Sequence, residues 1–168
     1  MTSISERPVD VAAARLHDLV KPDEGAVSRT VFVDEATYRK ELDRVFTKTW
    51  LFIGHESQLS EPGDYLTNFM GEDPVIATRG ADGVIRVMLN SCAHRGMAVC
   101  STDAGSSKFF RCPYHGWTYS NNGDLIGAPR ADTVYHGELD KPRLGLKAVP
   151  RVENYNCLLY TSDAADER

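Results

Sequence analysis

Two short stretches carry residues able to do chemistry: Cys92-Ala93-His94-Arg95-Gly96 and Cys112-Pro113-Tyr114-His115-Gly116-Trp117. Each sets one thiol and one imidazole close together and follows them with a glycine. One such pair alone is commonly a buried free thiol beside a surface histidine. Two pairs form a pattern: Cys, one residue, His, seventeen residues, Cys, two residues, His. Two loops thus offer two thiolates and two imidazoles, which is a metal-binding set. Structural zinc normally draws like ligands from each knuckle, Cys-Cys from one and His-His or Cys-Cys from the other. Here each loop supplies one of each. A two-iron cluster with unlike ends satisfies that order, with Cys92 and Cys112 on one iron and His94 and His115 on the other.

That ligand set is the one of a Rieske 2Fe-2S centre, and its chemistry needs both kinds of ligand. Thiolates stabilise the ferric iron, while neutral imidazoles leave the cluster less negative and raise its potential to roughly -150 to +300 mV. The imidazole-bound iron is expected to accept the electron, and the outward His edges to be its exit. Loss of imidazole protons in the oxidised state would make the potential depend on pH. Gly96 and Gly116 let the loops fold close, so that backbone N–H groups can donate to the sulfides. Trp117 is expected to pack under its loop, and Arg95 either to pair with a carboxylate or to meet a partner. Cys100 reads as a small buried hydrophobe rather than a fifth ligand. His17 and His136 read as solvated side chains, and His55 as a hydrogen-bonded residue at the domain edge.

The elements that must hold these loops are legible around them. Residues 1–33 form a polar arm with one weakly amphipathic stretch, VAAARLHDLV, stopped by KPDEG. A helix is predicted over 34–50, with Asp34 as N-cap and Tyr38, Leu42, Val45, Phe46 and Trp50 on one face. Residues 51–156 switch to short apolar runs between turn signals, the mark of an antiparallel sheet. Asp82-Gly83 and Asn122-Gly123 read as tight hairpin turns. The fold class expected is mainly β, an antiparallel iron-sulfur domain preceded by an arm and an amphipathic helix, with the chemistry carried on loops.

Composition narrows the partners. The chain has 168 residues, 42% of them hydrophobic, enough for one packed core. Its formal charge of -5 and pI near 5.5 argue against nucleic acid or an anionic membrane as the main partner. No window approaches eighteen apolar residues and the N-terminus lacks a secretory signal, so a cytoplasmic protein with reduced cysteines is expected. The last stretch, CLLYTSDAADER, breaks with what precedes it. Cys157 through Glu167 resembles the translation of a transposon-end adapter used to prepare sequencing libraries. Residues 157–168 are therefore expected to be foreign, Cys157 to drop out of the cysteine arithmetic, and the chain to be a fragment.

CAHRG followed by CPYHGW resembles the N-terminal Rieske domain of the large (alpha) subunit of bacterial aromatic-ring-hydroxylating dioxygenases. The segments FTKTWLFIGHESQL, EPGDY, MGEDPVI, IRVMLNSCAHRGM and GELDKPRLGL resemble that family too, over about residues 34–156. The resemblance implies an enzyme that takes NADH-derived electrons through a reductase, usually with a ferredoxin, and adds both atoms of dioxygen to an aromatic ring to give a cis-dihydrodiol. It implies a second cofactor, a mononuclear Fe(II) held by two His and one carboxylate in a C-terminal catalytic domain absent from this chain. It also implies trimers of large subunits, a small (beta) subunit in some members, and an aromatic small-molecule substrate. A stand-alone Rieske ferredoxin is the alternative, without need of the helix at 34–50; a structural zinc module is the other.

Overall fold

A computed structural model describes residues 16–162 of the chain. Residues 1–15, with half of the amphipathic stretch of the arm, residues 163–168 and the His17 side chain lie outside the described residues. The chain divides into two compact units, Met1–Lys48 and Thr49–Arg168.

In the first unit a single helical turn, α1 (Leu16–Leu19), leads into the two-residue strands β1 (Val20–Lys21) and β2 (Ala26–Val27), which pair antiparallel. The KPDEG stop is a 3-10 turn, Pro22–Glu24, closed by Gly25 in the left-handed region. Helix α2 (Glu35–Arg44) starts where expected, because the Asp34 carboxylate accepts a 2.7 Å hydrogen bond from the Thr37 amide. It is shorter than the sequence pattern suggests. After Arg44 the chain tightens into a 3-10 turn, Phe46–Lys48, where the Thr47 hydroxyl donates back to the Asp43 carbonyl at 2.8 Å. Tyr38, Leu42 and Phe46 on the predicted face are half-buried.

The second unit is built from β3 (Leu51–His55), β4 (Asp64–Met70), β5 (Asp73–Arg79), β6 (Ile85–Leu89), β7 (Ala104–Ser106), β8 (Phe109–Arg111), β9 (Thr118–Ser120), β10 (Leu125–Gly127), the short helix α3 (Ala131–Val134), β11 (Arg151–Tyr155) and β12 (Leu158–Ser162). Every pairing is antiparallel, in three sheets ordered β6-β5-β4-β7, β10-β9-β8 and β11-β12-β3. The mainly β, antiparallel class is the one expected. Asp82-Gly83 lies in the β5–β6 turn and Asn122-Gly123 in the β9–β10 turn, both glycines at positive φ. Strand β12 begins inside the stretch read as foreign; Leu159 and Thr161 are buried there opposite Gly54 and Leu51. The backbone pairing can be made by any non-proline sequence, while Leu159 also packs in the core and the Thr161 hydroxyl lies 2.8 Å from Met70 Sδ.

Strand β5 explains how one sheet serves two cores. Val75, Ile76, Ala77 and Thr78 are all buried, so both of its faces are covered and it reads as an apolar run rather than an alternation. On one face Val75, Ala77 and Val87 pack with Ile53, Leu59, Leu66 and Leu159. On the other, Ile76 and Met88 pack with Phe110, Trp117, Tyr119, Leu125 and the thiols Cys92 and Cys112. The Thr78 hydroxyl donates to the Asn121 carbonyl at 2.7 Å, tying β5 to the β9–β10 turn.

Asn90, buried at the end of β6, closes the first ligand loop. Its amide donates to the Cys100 carbonyl at 2.7 Å, and its oxygen accepts from the Val99 and Cys100 amides at 2.9 and 3.1 Å. Replacing it strands three buried backbone groups, each worth about 1–3 kcal/mol when left unpaired. Asn90→Ala is expected to destabilise the second unit by roughly 2–4 kcal/mol, allowing for partial relaxation, read from the midpoint of urea unfolding. An unchanged midpoint would show that water replaces the side chain without cost.

Candidate metal centre

The two ligand loops come off different elements yet share one backbone pattern. The first leaves β6, and the second is the tip of the β8–β9 hairpin. In the first, the Cys92 amide donates to the Met97 carbonyl at 2.9 Å and the Gly96 amide to the Cys92 carbonyl at 2.8 Å. In the second, the Cys112 amide donates to the Trp117 carbonyl at 2.7 Å and the Gly116 amide to the Cys112 carbonyl at 3.0 Å. Gly96 and Gly116 both sit in the left-handed region, at φ of 71° and 73°, where a side chain is strained. Gly116 is constrained a second way: a Cβ there would lie 3.1 Å from Pro129 Cγ and 3.3 Å from Arg111 Nη2. The amides of both glycines are engaged by the cysteine carbonyls, so other loop amides must serve any sulfide.

The side chains sort by depth. Cys92 and Cys112 are free thiols, each 2% exposed. His94 is half-buried and His115 is exposed. The two imidazoles meet edge to face with centroids 4.6 Å apart. Trp117, itself buried, stacks on His94 at 5.0 Å with planes 9° apart, and Tyr114 stacks on His115 at 3.9 Å. Trp117 is thus more than packing beneath its loop, since it fixes the plane of one imidazole. Burial, then the neighbouring His115 and Arg95, hold His94 below the ordinary histidine range. That keeps it neutral with a lone pair free for a metal.

Among the described residues no three His, Cys, Asp or Glu side chains converge on a single ion. Tetrahedral zinc would ask four to do so, whereas a two-iron cluster asks only two protein ligands of each iron. Two buried thiols beneath two outward imidazoles, on separate loops, fit such a cluster.

The remaining candidates fall into place. Cys100 belongs to the core around the thiols, with its sulfur near the Thr102 carbonyl at 3.6 Å. His55 caps the 3-10 turn Glu56–Leu59 by accepting from the Ser57 amide at 3.1 Å. His136 is exposed. Arg95 is exposed and has no carboxylate partner among the described residues.

One site residue escapes the ligand pattern: Tyr119, fully buried on β9. Its hydroxyl oxygen accepts from the Ala93 amide at 3.1 Å, which leaves the phenolic proton for Cys92 Sγ at 3.2 Å. Burial, then the Cys92 contact, push its ionisation well above the ordinary tyrosine range, so it stays a donor. The only signal in the sequence is its place two residues after Trp117 on an alternating strand. A hydrogen bond to a ligand sulfur favours the reduced cluster. Tyr119→Phe is expected to lower the cluster potential by on the order of 40 mV, the one-electron equivalent of about 1 kcal/mol, measured by redox titration. An unchanged potential would remove Tyr119 from the site.

The sequence model of the Rieske [2Fe-2S] domain matches residues 49–151. Among curated proteins, the chain is 45% identical over 139 residues to the alpha subunit of N,N-dimethyl phenylurea N-demethylase from Sphingobium sp. (strain YBL2), covering 83% of this chain and 30% of that protein. It is 42% identical over 155 residues to the alpha subunit of biphenyl 2,3-dioxygenase from Rhodococcus jostii (strain RHA1), covering 92% and 33%. Among solved structures, naphthalene 1,2-dioxygenase from Rhodococcus sp. bound to indole superposes with a TM-score of 0.77 at 38% identity, over 88% of this chain and 33% of that one. The chain thus spans about a third of the length of the relatives it matches. Because the match covers more than half of the chain and takes in both Cys/His loops, the chain belongs to the Rieske [2Fe-2S] domain family.

Proposed function

We propose that this domain is the electron-transfer part of an aromatic-ring-hydroxylating dioxygenase alpha subunit. The observation that carries the reading is the donor set sorted by depth: two buried thiols and two imidazoles that meet edge to face, each stacked on an aromatic ring and one of them exposed. Cys92 and Cys112 would hold one iron and His94 and His115 the other. When bound, the cluster supplies reversible one-electron chemistry at a potential between those of reduced carriers and oxygen-activating iron.

The chain's own residues do the rest. Trp117 and Tyr114 hold the imidazole planes, so little rearrangement accompanies a change of charge. The apolar core of Ile76, Met88 and Phe110 keeps water from the sulfur side. Tyr119 donates to Cys92 Sγ. His115, on the wet side, offers the edge through which an electron enters or leaves.

The parent reaction is arene + O2 + NADH + H+ giving cis-dihydrodiol + NAD+. In this reading NADH-derived electrons arrive through a reductase or ferredoxin and pass to a mononuclear Fe(II) in a separate catalytic domain. Trimers of alpha subunits, a beta subunit and an aromatic substrate complete it. The N-demethylase among the relatives favours a second reading, in which the same electron input serves a monooxygenation. A stand-alone carrier would have no use for α2.

Anaerobic expression with iron, acid-labile sulfide and low-temperature EPR on the dithionite-reduced protein tests the centre. Two irons, two sulfides and a rhombic signal of low average g are expected. Cys92→Ala or His115→Ala should abolish that signal. Bound zinc, or a spectrum of all-cysteine ligation, would sink the assignment.

A further inference from the structure

The connection from β10 to β11 supplies none of the four candidate ligands, yet it runs over the core that holds Cys92 and Cys112. It sets Ala128, Tyr135, Leu139 and Leu144 against that core, and Leu146 is buried within it. Its course is unusual around α3. Arg130, at φ 57°, opens the helix and His136, at φ 52°, follows its end, both in the left-handed region, which is costly for a residue with a Cβ. Such residues persist where the surrounding packing holds the chain in place. Between them one side chain packs on the core, that of Tyr135.

Tyr135 meets Trp117 edge to face, with centroids 6.3 Å apart and planes at 72°. Trp117 in turn stacks on His94 at 5.0 Å with planes 9° apart. Three rings in contact thus come from three segments: the end of α3, the second ligand loop and the first. The Trp117 backbone is tied by the hydrogen bond its carbonyl accepts from the Cys112 amide, which leaves the ring only its side-chain torsions to settle. An aromatic neighbour restricts those torsions, because the positive edge of one ring seeks the negative face of the other. An aliphatic side chain in the same place would fill the space without preferring an angle. The Tyr135 hydroxyl makes no hydrogen bond among the described residues, so the ring is what acts.

We propose that Tyr135 is a positioning residue of the centre: it sets the angle of the Trp117 ring and, through the stack, the plane of the His94 imidazole. The inference rests on the reading of His94 as a cluster ligand. The plane of an imidazole governs how its nitrogen lone pair meets a metal, and groups beyond the ligands are what fix that plane. A segment with no ligand of its own thereby tunes one of the two imidazoles and leaves the other, His115, to its own stack on Tyr114.

The test uses the full chain loaded with iron and sulfide and reduced with dithionite, and reads the nitrogen couplings of the imidazoles by pulsed EPR. Tyr135→Leu, which keeps an apolar side chain on the core, is expected to shift one imidazole coupling beyond the spread of replicate samples and to leave the other in place. Tyr135→Phe is expected to match wild type. Leu139→Ala, on the same connection and the same core, is expected to lower the midpoint of urea unfolding with both couplings unmoved. The apoprotein gives an independent reading: with Trp50→Phe as background Trp117 is the sole tryptophan, and its near-ultraviolet circular dichroism should change in Tyr135→Leu and hold in Tyr135→Phe. Unmoved couplings or an unchanged tryptophan band in Tyr135→Leu would overturn the proposal. An equal shift of both couplings, or the same shift in Leu139→Ala, would overturn it too, by reducing Tyr135 to packing. A wild-type protein without any imidazole nitrogen coupling would overturn the cluster reading itself, and this inference with it.

Discussion

The burial of β5 on both faces is the constraint on which the rest of the second unit depends. A strand with one wet face could carry one core; β5, with Val75 and Ala77 on one side and Ile76 and Thr78 on the other, carries two. One core anchors the β3–β12 pairing, and the other is the floor of the ligand loops. Neither loop is long enough to have a core of its own. Each borrows its position from this shared strand, the first through β6 and Asn90, the second through Thr78 and the β9–β10 turn.

How far this was legible in the sequence follows from what signals such a core leaves. The candidate ligands stood out because thiols and imidazoles are scarce and their order is selective. The hairpin turns were readable because Asp-Gly and Asn-Gly suit positive φ. Asp34 showed as a cap because a short carboxylate before a helical pattern has few other uses. The helix end was misplaced: apolar spacing through Trp50 continued past the point where Thr47 bonds back to Asp43 and the backbone tightens. Asn90 and Tyr119 were invisible because their work is tertiary. A polar residue that satisfies backbone nine residues away, or a phenol that meets a sulfur 27 positions back, has no local spacing to betray it.

The comparisons and the geometry speak at different scales. The relatives share this domain while their names assign them different reactions, ring dioxygenation and N-demethylation. Nothing in the layered donor set is specific to either. In the proposed reading the domain is constrained first by its potential, on which the Tyr119 hydroxyl at Cys92 Sγ would bear.

The depth ordering of the site has a chemical corollary. Solvent protons reach the imidazole side, whereas the thiols are sealed under Trp117, Tyr119 and Phe110. Peroxide or molecular oxygen in solution therefore meets nitrogen before sulfur, and attack on a cysteine ligand has to wait for the loops to part. Each cysteine makes two backbone hydrogen bonds within its loop, Cys92 with Met97 and Gly96 and Cys112 with Trp117 and Gly116, so oxidant reaches a thiol only during the fraction of time in which these are open, and the rate of damage scales with that fraction.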